Sequence, residues 1–238
     1  MYLIDIHSHI LNNVDDGSRS FNESVQMINM AYDQGVRKLF CTPHDLAFLN
    51  ANDTVNHNFD RLKEFSQSNY HDLELYLGSE IYCNPIDMKY IISDLAKGII
   101  PTMNKTEFVL VEFEQGIKNY NEIKQCADQL INNGYIPVIA HIERYDLSIS
   151  EVKKLREIGC IMQVNYYSIF DEAKSTIKNR ARSLLNLKYV DVLGSDAHRL
   201  KHRPPVISNG VDYLVNHYDN QYVNLLLHNN SERFLCRR

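Results

Sequence analysis

Apolar residues fall into two patterns that take turns along the chain. Short runs rich in Val, Ile, Leu, Phe and Tyr predict strands near 2–6, 36–41, 73–78, 107–112, 136–140, 159–164 and 189–194. Between them, apolar positions recur at helical spacing and predict amphipathic helices near 21–34, 54–69, 86–96, 119–133, 149–157 and 175–186. Two further helical patterns, about 208–217 and 219–229, follow the last strand. Ser20-x-x-Glu23 and Ser148-x-x-Glu151 are capping-box signatures that open two of these helices. Gly35, Gly134 and Gly159 stand where helices should stop.

No Pro/Gly/Ser-rich linker, low-complexity tract, charge block or internal repeat divides the chain, so residues 1–238 are expected to form a single domain. Strict alternation of strand and helix predicts an α/β fold with a parallel sheet. Seven strands without a break favour a closed TIM-like barrel over an open sheet. In such a barrel, functional groups collect at the C-terminal ends of the strands. If the chain carries a site, its chemistry should stand there.

It does. The first strand runs into Asp5-Ile6-His7-Ser8-His9. Because strand side chains repeat every two residues, His7 and His9 are expected on one side. Asp16 follows in a turn marked Asp15-Asp16-Gly17. The second strand ends at Thr42-Pro43-His44, and the third runs into Gly78-Ser79-Glu80. The fourth carries Glu112 inside an apolar run, the fifth ends at Ala140-His141, and the seventh at Ser195-Asp196-Ala197-His198. Any one of these could be a satisfied core histidine or a solvated carboxylate. Five histidines and four carboxylates at matching topological positions are a candidate metal-ligand set. His57, His71, His217 and His228 lie in polar contexts and are expected at the surface, with His202 undecided. Tyr145, Tyr166 and Tyr167 are weaker candidates for a pocket border.

Composition narrows the chemistry. The 44% hydrophobic content suits a soluble globular protein with a sizeable core, and a formal net charge of −5 gives no sign of a nucleic-acid or polybasic membrane surface. No apolar run reaches the roughly 18 residues of a membrane span, so no direct membrane insertion is expected. The N-terminus shows no signal-peptide pattern. Five scattered cysteines without a CxxC pair read as reduced thiols of a cytoplasmic protein. They also exclude thiolate phosphatase chemistry, which needs an arginine six positions after its cysteine. The residues six positions after Cys41, Cys83, Cys126 and Cys160 are Ala47, Lys89, Asn132 and Tyr166, and Cys236 has none.

Nine imidazoles and carboxylates are too many for one ion and suit two or three. Mixed N/O ligation without thiolate fits Mn²⁺, Fe²⁺ or Zn²⁺. Three divalent cations would exceed the charge of Asp16, Glu80, Glu112 and Asp196 by about two units, a surplus that favours an anion such as phosphate. Two arginines agree with that: Arg144 follows His141 by three residues, and Arg203 lies just beyond His198. A guanidinium beside the metals can bind phosphate oxygens in bidentate fashion. Asp196 and His198 are candidate general acids, although a phenolate of pKa about 10 needs less help in leaving than an alkoxide.

The motifs Asp5-Ile6-His7-Ser8-His9-Ile10, Val14-Asp15-Asp16-Gly17, Thr42-Pro43-His44, Gly78-Ser79-Glu80-Ile81-Tyr82, Val111-Glu112-Phe113, Pro137 to Tyr145 and Ser195-Asp196-Ala197-His198 are similar in order and spacing to those of one known group. They resemble the polymerase-and-histidinol-phosphatase superfamily, specifically its CpsB/CapC-type bacterial tyrosine phosphatases, over nearly the whole chain. The resemblance implies a distorted (β/α)7 barrel. It also implies metal ligation by His7, His9, Asp16, His44, Glu80, Glu112, His141, Asp196 and His198, with phosphate contacts from Arg144 and Arg203. It further implies Mn²⁺ dependence, and as substrate the tyrosine-rich tail of a partner kinase controlling capsule or exopolysaccharide synthesis at the inner face of the membrane. The sequence departs from the pattern at Leu11-Asn12-Asn13, where Leu-Pro-Gly is common. It departs again at Asp45, a carboxylate that would repel phosphate where relatives carry a basic residue or histidine.

Other readings remain open at this stage. A small-molecule phosphatase of the histidinol-phosphate type would share the metals. A zinc amidohydrolase usually adds a lysine bridge, which no strand end here supplies. A non-catalytic regulator that binds a kinase tail is disfavoured because every ligand position is kept.

Overall fold

A computed structural model describes residues 2–115, 120–170 and 172–236. Its strands are β1 (Leu3–Asp5), β2 (Val36–Cys41), β3 (Glu74–Leu77), β4 (Glu80–Tyr82), β5 (Phe108–Glu112), β6 (Ile136–Ile139), β7 (Ile161–Asn165) and β8 (Val192–Gly194). The helices between and after them are α1 (Phe21–Asp33), α2 (Asp45–Asn69), α3 (Met88–Ala96), α4 (Tyr120–Asn132), α5 (Ile149–Glu157), α6 (Ser175–Asn186), α7 (Ser208–His217) and α8 (Asn220–Asn224). The expected α/β alternation is present, and all strand pairs are parallel.

The strands form two sheets, in the orders β1-β2-β3 and β4-β5-β6-β7-β8. The third expected strand, 73–78, stops at Leu77, and after two intervening residues the chain resumes as β4 at Glu80. The change of partner explains the break: β3 pairs with β2, whereas β4 pairs with β5. No continuous ladder closes a barrel among the described residues. The two sheets meet instead through single bridges, Ser8 to Ala197 and His44 to Glu80. At the first seam His9 N donates to Ala197 O at 2.8 Å and Asp196 N donates to His7 O at 2.8 Å. Both bridges consist of residues at or beside the predicted site, so the loops that join the sheets also assemble the site.

Alternation along the strands sorts the core into an interior and a helix-facing layer. Ile4, Ile6, Phe40, Phe108, Leu110, Val138, Ala140, Ile161 and Val192 fill the interior. Val109, Val111, Ile139, Met162, Val164 and Leu193, at the opposite parity, pack outward against the helices. Carried upward, the interior files become polar: Phe108 and Leu110 lead to Glu112, Ile161 to Gln163 and Asn165, and Val192 to Gly194 and Asp196.

Both signatures open helices as expected, but only the second forms the full box, since Glu23 accepts from Arg19 N rather than Ser20 N. Ser20 Oγ accepts from Glu23 N at 3.2 Å, and at Ser148 the reciprocal bonds with Glu151 are both made. The helix expected at 54–69 begins nine residues earlier, at Asp45, and bends at Ala51 (φ −152°, ψ 41°). Asn52-Asp53-Thr54 reads as a helix start because it opens the segment after that bend. Ala47 and Phe48, buried, hold the first segment in place. The expected helix at 219–229 is α8 followed by a wider π-helical turn, Leu225–Asn229. Position 119 of the expected fourth helix lies outside the described residues.

Leu110 is fully buried in the interior layer, so Leu110→Ala should cost about 2–5 kcal/mol. Urea unfolding of the purified variant measures this. A loss below about 1 kcal/mol would contradict the interior placement.

Candidate metal centre

The structure brings all nine predicted donors together at the C-terminal ends of the strands. Glu80, from the start of β4, lies at the middle. Its Oε1 is 3.2 Å from His7 Nε2 and 3.0 Å from His141 Nε2, and its Oε2 is 3.1 Å from His9 Nε2 and 3.4 Å from His44 Nδ1. Glu112 Oε1 stands 3.2 Å from His44 Nδ1, and Asp16 Oδ1 lies 3.5 Å from His44 Nε2 and 3.3 Å from His198 Nε2. Asp196 Oδ1 is 3.6 Å from His7 Nε2 and 3.5 Å from His198 Nδ1. Three overlapping groups each place their donor atoms within 4.8 Å of one another: His9, Asp16, His44 and His198; His7, His9 and Asp196; and His44, Glu80 and Glu112.

Whether these residues suit a metal is decided by their far nitrogens. His7 Nδ1 lies 3.2 Å from Gln163 Oε1, His9 Nδ1 2.7 Å from Asp15 Oδ2, and His198 Nδ1 2.9 Å from the Asp196 carbonyl. His141 Nδ1 is 3.4 Å from the Tyr145 hydroxyl. Asp15, Gln163 Oε1 and the Asp196 carbonyl can only accept, so in the neutral rings of His7, His9 and His198 the hydrogen stays on Nδ1 and the Nε2 lone pair turns into the cluster, the arrangement found behind metal-ligating histidines. His198 Nε2 is buried and makes no hydrogen bond. The donor set fits divalent cations.

Charge in the metal-free cluster is balanced by protons. Burial opposes protonation of His7 and His9, yet Glu80 and Asp196 beside the first, and Asp15 and Glu80 beside the second, outweigh it and hold both above the usual imidazole range. His44 is raised in the same way, against burial, mainly by Glu112. His198 goes the other way: burial, then the charge on His9, pushes it down to about 2 and keeps it neutral. Burial also opposes ionisation of Glu80, Asp196 and Asp15, but His7 beside Glu80 and Asp196, and His9 beside Asp15, keep all three carboxyls below their usual range, Asp15 at about 2.

Both predicted arginines converge on Asp196. Arg144 Nη2 is 2.7 Å from Asp196 Oδ2, and Arg203 Nη1 is 3.3 Å from the same oxygen, with Nη2 3.5 Å from Asp16 Oδ2. Asn165 Nδ2 donates to Asp196 Oδ2 at 3.0 Å. Three of these residues have left-handed backbones despite their side chains: His141 (φ 36°), Asp196 (φ 52°) and Arg203 (φ 55°). Such conformations cost about 1–3 kcal/mol each and persist where their surroundings enforce them, often at functional sites. Two glycines leave the room that this packing needs. A Cβ on Gly17 would lie 2.1 Å from His9 O, and one on Gly194 would lie 2.6 Å from His7 Cβ.

Several contributors escaped the sequence reading. Asp15, adjacent to the predicted ligand Asp16, instead orients His9 and also accepts from His44 N at 3.2 Å. Gln163 accepts from His141 N as well, at 2.9 Å, so one amide oxygen serves two histidines. The signal for Gln163 and Asn165 was two polar residues at alternate positions of an otherwise apolar strand. Tyr145, expected at a pocket border, is fully buried and accepts from Phe113 N at 3.0 Å. Tyr166 is buried too, and only Tyr167 is exposed. Arg199 ties down the Asp16 and Gly17 carbonyls at 2.6 and 3.0 Å. His57, His71, His202 and His217 are exposed, whereas His228 is half-buried with its ring 5.4 Å from that of Tyr2. Asn13, in the loop that departs from Leu-Pro-Gly, takes φ 55°, which asparagine tolerates.

The sequence profile described as capsular polysaccharide synthesis, CpsB/CapC, matches residues 3–236. The chain belongs to the CpsB/CapC family. It is 35% identical over 226 residues to the tyrosine-protein phosphatase CpsB of Streptococcus pneumoniae, covering 91% of each chain. It is 32% identical to the CpsB of Streptococcus agalactiae serotype V, covering 98% of each. Its backbone superposes with a TM-score of 0.85 and 29% identity on a crystal structure from work on YwqE of Bacillus subtilis and CpsB of S. pneumoniae, described as metal-dependent tyrosine phosphatases, covering 98% of this chain and 94% of that one.

Two expectations follow for the CpsB/CapC centre. Asp15→Asn should weaken metal binding about 10–100-fold by loosening His9, as measured by chelator competition; unchanged affinity would remove Asp15 from the site. The pH dependence has a definite sign. His7, His9 and His44 have folded-state pKa values above their unfolded value of 6.5, so their protons stabilise the metal-free fold fully below pH 6.5 and that contribution is lost as pH rises through the folded values. The melting temperature of metal-stripped protein should therefore fall from pH 6.5 to 8, while metal binding releases protons. A flat or rising melting temperature would contradict this.

Proposed function

We propose that the protein is a metal-dependent protein-tyrosine phosphatase, a phosphoric-monoester hydrolase whose whole chain serves one metal site. The observation that carries this reading is the convergence of nine nitrogen and oxygen donors with two guanidiniums at one end of the fold. Family membership and the names of the relatives support it. His7, His9, Asp16, His44, Glu80, Glu112, His141, Asp196 and His198 would hold two or three divalent cations. The donor set suits Mn²⁺, with Fe²⁺ or Zn²⁺ as substitutes. Cations bound there would supply positive charge to the phosphoryl oxygens and lower the pKa of the attacking water.

The chain's own groups do the rest. Arg144 and Arg203, both held at the site by Asp196, are the substrate-binding pair, with guanidiniums that can each bind non-bridging phosphoryl oxygens. Asp196, ionised and accepting from both arginines and Asn165, positions that pair as well as binding metal. Its low pKa makes it a poor proton donor. His198, neutral and with its hydrogen on Nδ1, likewise serves as a ligand first. As water adds to phosphorus, the phosphorus–oxygen bond to the tyrosine ring breaks, and a phenolate of pKa about 10 leaves with little need of protonation.

The substrate we infer is the phosphotyrosyl tail of a bacterial tyrosine kinase governing capsule or exopolysaccharide synthesis, met in the cytoplasm at the inner face of the membrane. The family's link to capsular polysaccharide synthesis supports this. Among the described residues no helix is long and apolar enough to cross a membrane, and the five cysteines are free thiols.

The test is phosphate release from a phosphotyrosyl peptide by metal-stripped protein given Mn²⁺, Zn²⁺ or Mg²⁺, with histidinol phosphate as the competing substrate. Mn²⁺ should restore turnover, and His7→Ala and Asp196→Ala should each lower it by at least about 100-fold. Faster turnover of histidinol phosphate, or no release with any cation, would overturn the reading.

A further inference from the structure

A concavity opens beside the metal centre. It encloses about 280 Å³ between the first turns of α2, the end of β4 and α3. That is just below the range of roughly 300–1,000 Å³ typical of pockets for whole small molecules, and suits a side chain or two. It adjoins the metal site through neighbouring residues: Asp45 follows His44, and Tyr82 lies two residues beyond Glu80. Tyr82 N points to Asp45 Oδ1 at 3.5 Å.

Two features of its wall are unusual for this molecule. Leu46, Leu49, Tyr82 and Tyr90 line it and are 62%, 45%, 43% and 59% exposed, four of the ten large apolar side chains exposed among the described residues. Apolar surface gathered in one place marks an interaction site, whereas single exposed apolar residues are ordinary. The charged groups in the lining are Asp45, Asp87 and Asp94, and it holds no lysine or arginine.

We propose that this groove holds the polypeptide flanking the phosphotyrosine, taking an aliphatic or aromatic side chain with a neighbouring lysine or arginine. The inference rests on the phosphatase reading above and names the substrate class of that site. Charge complementarity selects the occupant. A phosphate dianion is drawn to Arg144, Arg203 and the cations and repelled by the three aspartates next door. The groove therefore receives the unphosphorylated part of the substrate, and a basic residue there meets carboxylates while its apolar neighbour covers Leu49 and Tyr90. Asp45, a groove carboxylate next to the predicted ligand His44, becomes a specificity group rather than a defect in phosphate binding.

Two phosphotyrosyl peptides carrying Leu-Lys on the N-terminal or the C-terminal side would be compared with the same peptides carrying Gly-Glu. Turnover by the Mn²⁺-loaded full chain gives kcat/KM, and fluorescence anisotropy of non-hydrolysable phosphonate analogues gives affinity. p-Nitrophenyl phosphate, which has no flank, serves as reference. Burying one apolar side chain predicts a preference of about tenfold or more for one Leu-Lys peptide, in both readouts. Leu49→Ser/Tyr90→Ser and Asp94→Lys should each erase that preference, chiefly through KM, and leave p-nitrophenyl phosphate turnover within about twofold. Equal treatment of the peptides by the unaltered protein, a preference that survives both variants, or equal loss on the small substrate would each overturn the proposal. So would a change of assembly mass in light scattering with peptide preference intact, which would assign the groove to a second copy of the chain. Retained preference among the analogues without phosphate release from any substrate would sink the phosphatase reading and leave the groove assignment standing.

Discussion

The candidate metal centre depends on which way its imidazoles face, and for four of the five that is decided at the far nitrogen. Asp15, Gln163, the Asp196 carbonyl and Tyr145 each stand at an Nδ1 and turn the opposite nitrogen toward Glu80, Asp16 or Asp196. An imidazole free to rotate in a buried cluster would trade a lone pair for an N–H and set donor against donor. His44 is the exception, with both nitrogens facing carboxylates of the cluster. Much of the polar structure around the site follows from holding the other four in register.

That requirement reaches into the backbone. Interior files that are apolar at the bottom of β5, β7 and β8 become polar at the top, placing Glu112, Gln163, Asn165 and Asp196 over a dry core. Where strand parity does not deliver a side chain, a left-handed residue does so, as at His141, which is out of step with the interior Val138 and Ala140. The absence of side chains at Gly17 and Gly194 lets the loops close on His9 and His7. The seams between the two sheets run through the same loops, so assembling the fold and assembling the site are one event.

The open end of the fold carries two adjoining fields of opposite sign. Arginines, and cations when bound, make one side an anion trap, while aspartates among exposed leucines and tyrosines make the other a place for cationic and apolar groups. A phosphorylated tyrosine in a chain offers both kinds of surface at once, whereas a small phosphate ester offers one. Such an arrangement would orient a polymeric substrate as well as bind it.

The order of strands and helices and the residues of the candidate cluster were legible in the sequence. Periods of two and of about 3.6 residues are local properties, and alternating strands and helices force strand ends to gather at one face. His7, His9, His44, Glu80, Glu112, His141, Asp196 and His198 could be placed there without any distance. The division of the third strand at Gly78, the separate duties of Asp15 and Asp16, the support from Gln163 and Asn165, and the acidic apolar groove were settled by tertiary structure. Each depends on segments distant in sequence. Gln163 is 156 residues from His7, which it orients, and β4 is set apart from β3 by the neighbour it pairs with. Local patterning specifies an element and its buried face. Which atom of one element meets which atom of another is set by the packing of the whole chain, because hydrogen bonds act over about 3 Å and no sequence period encodes that separation.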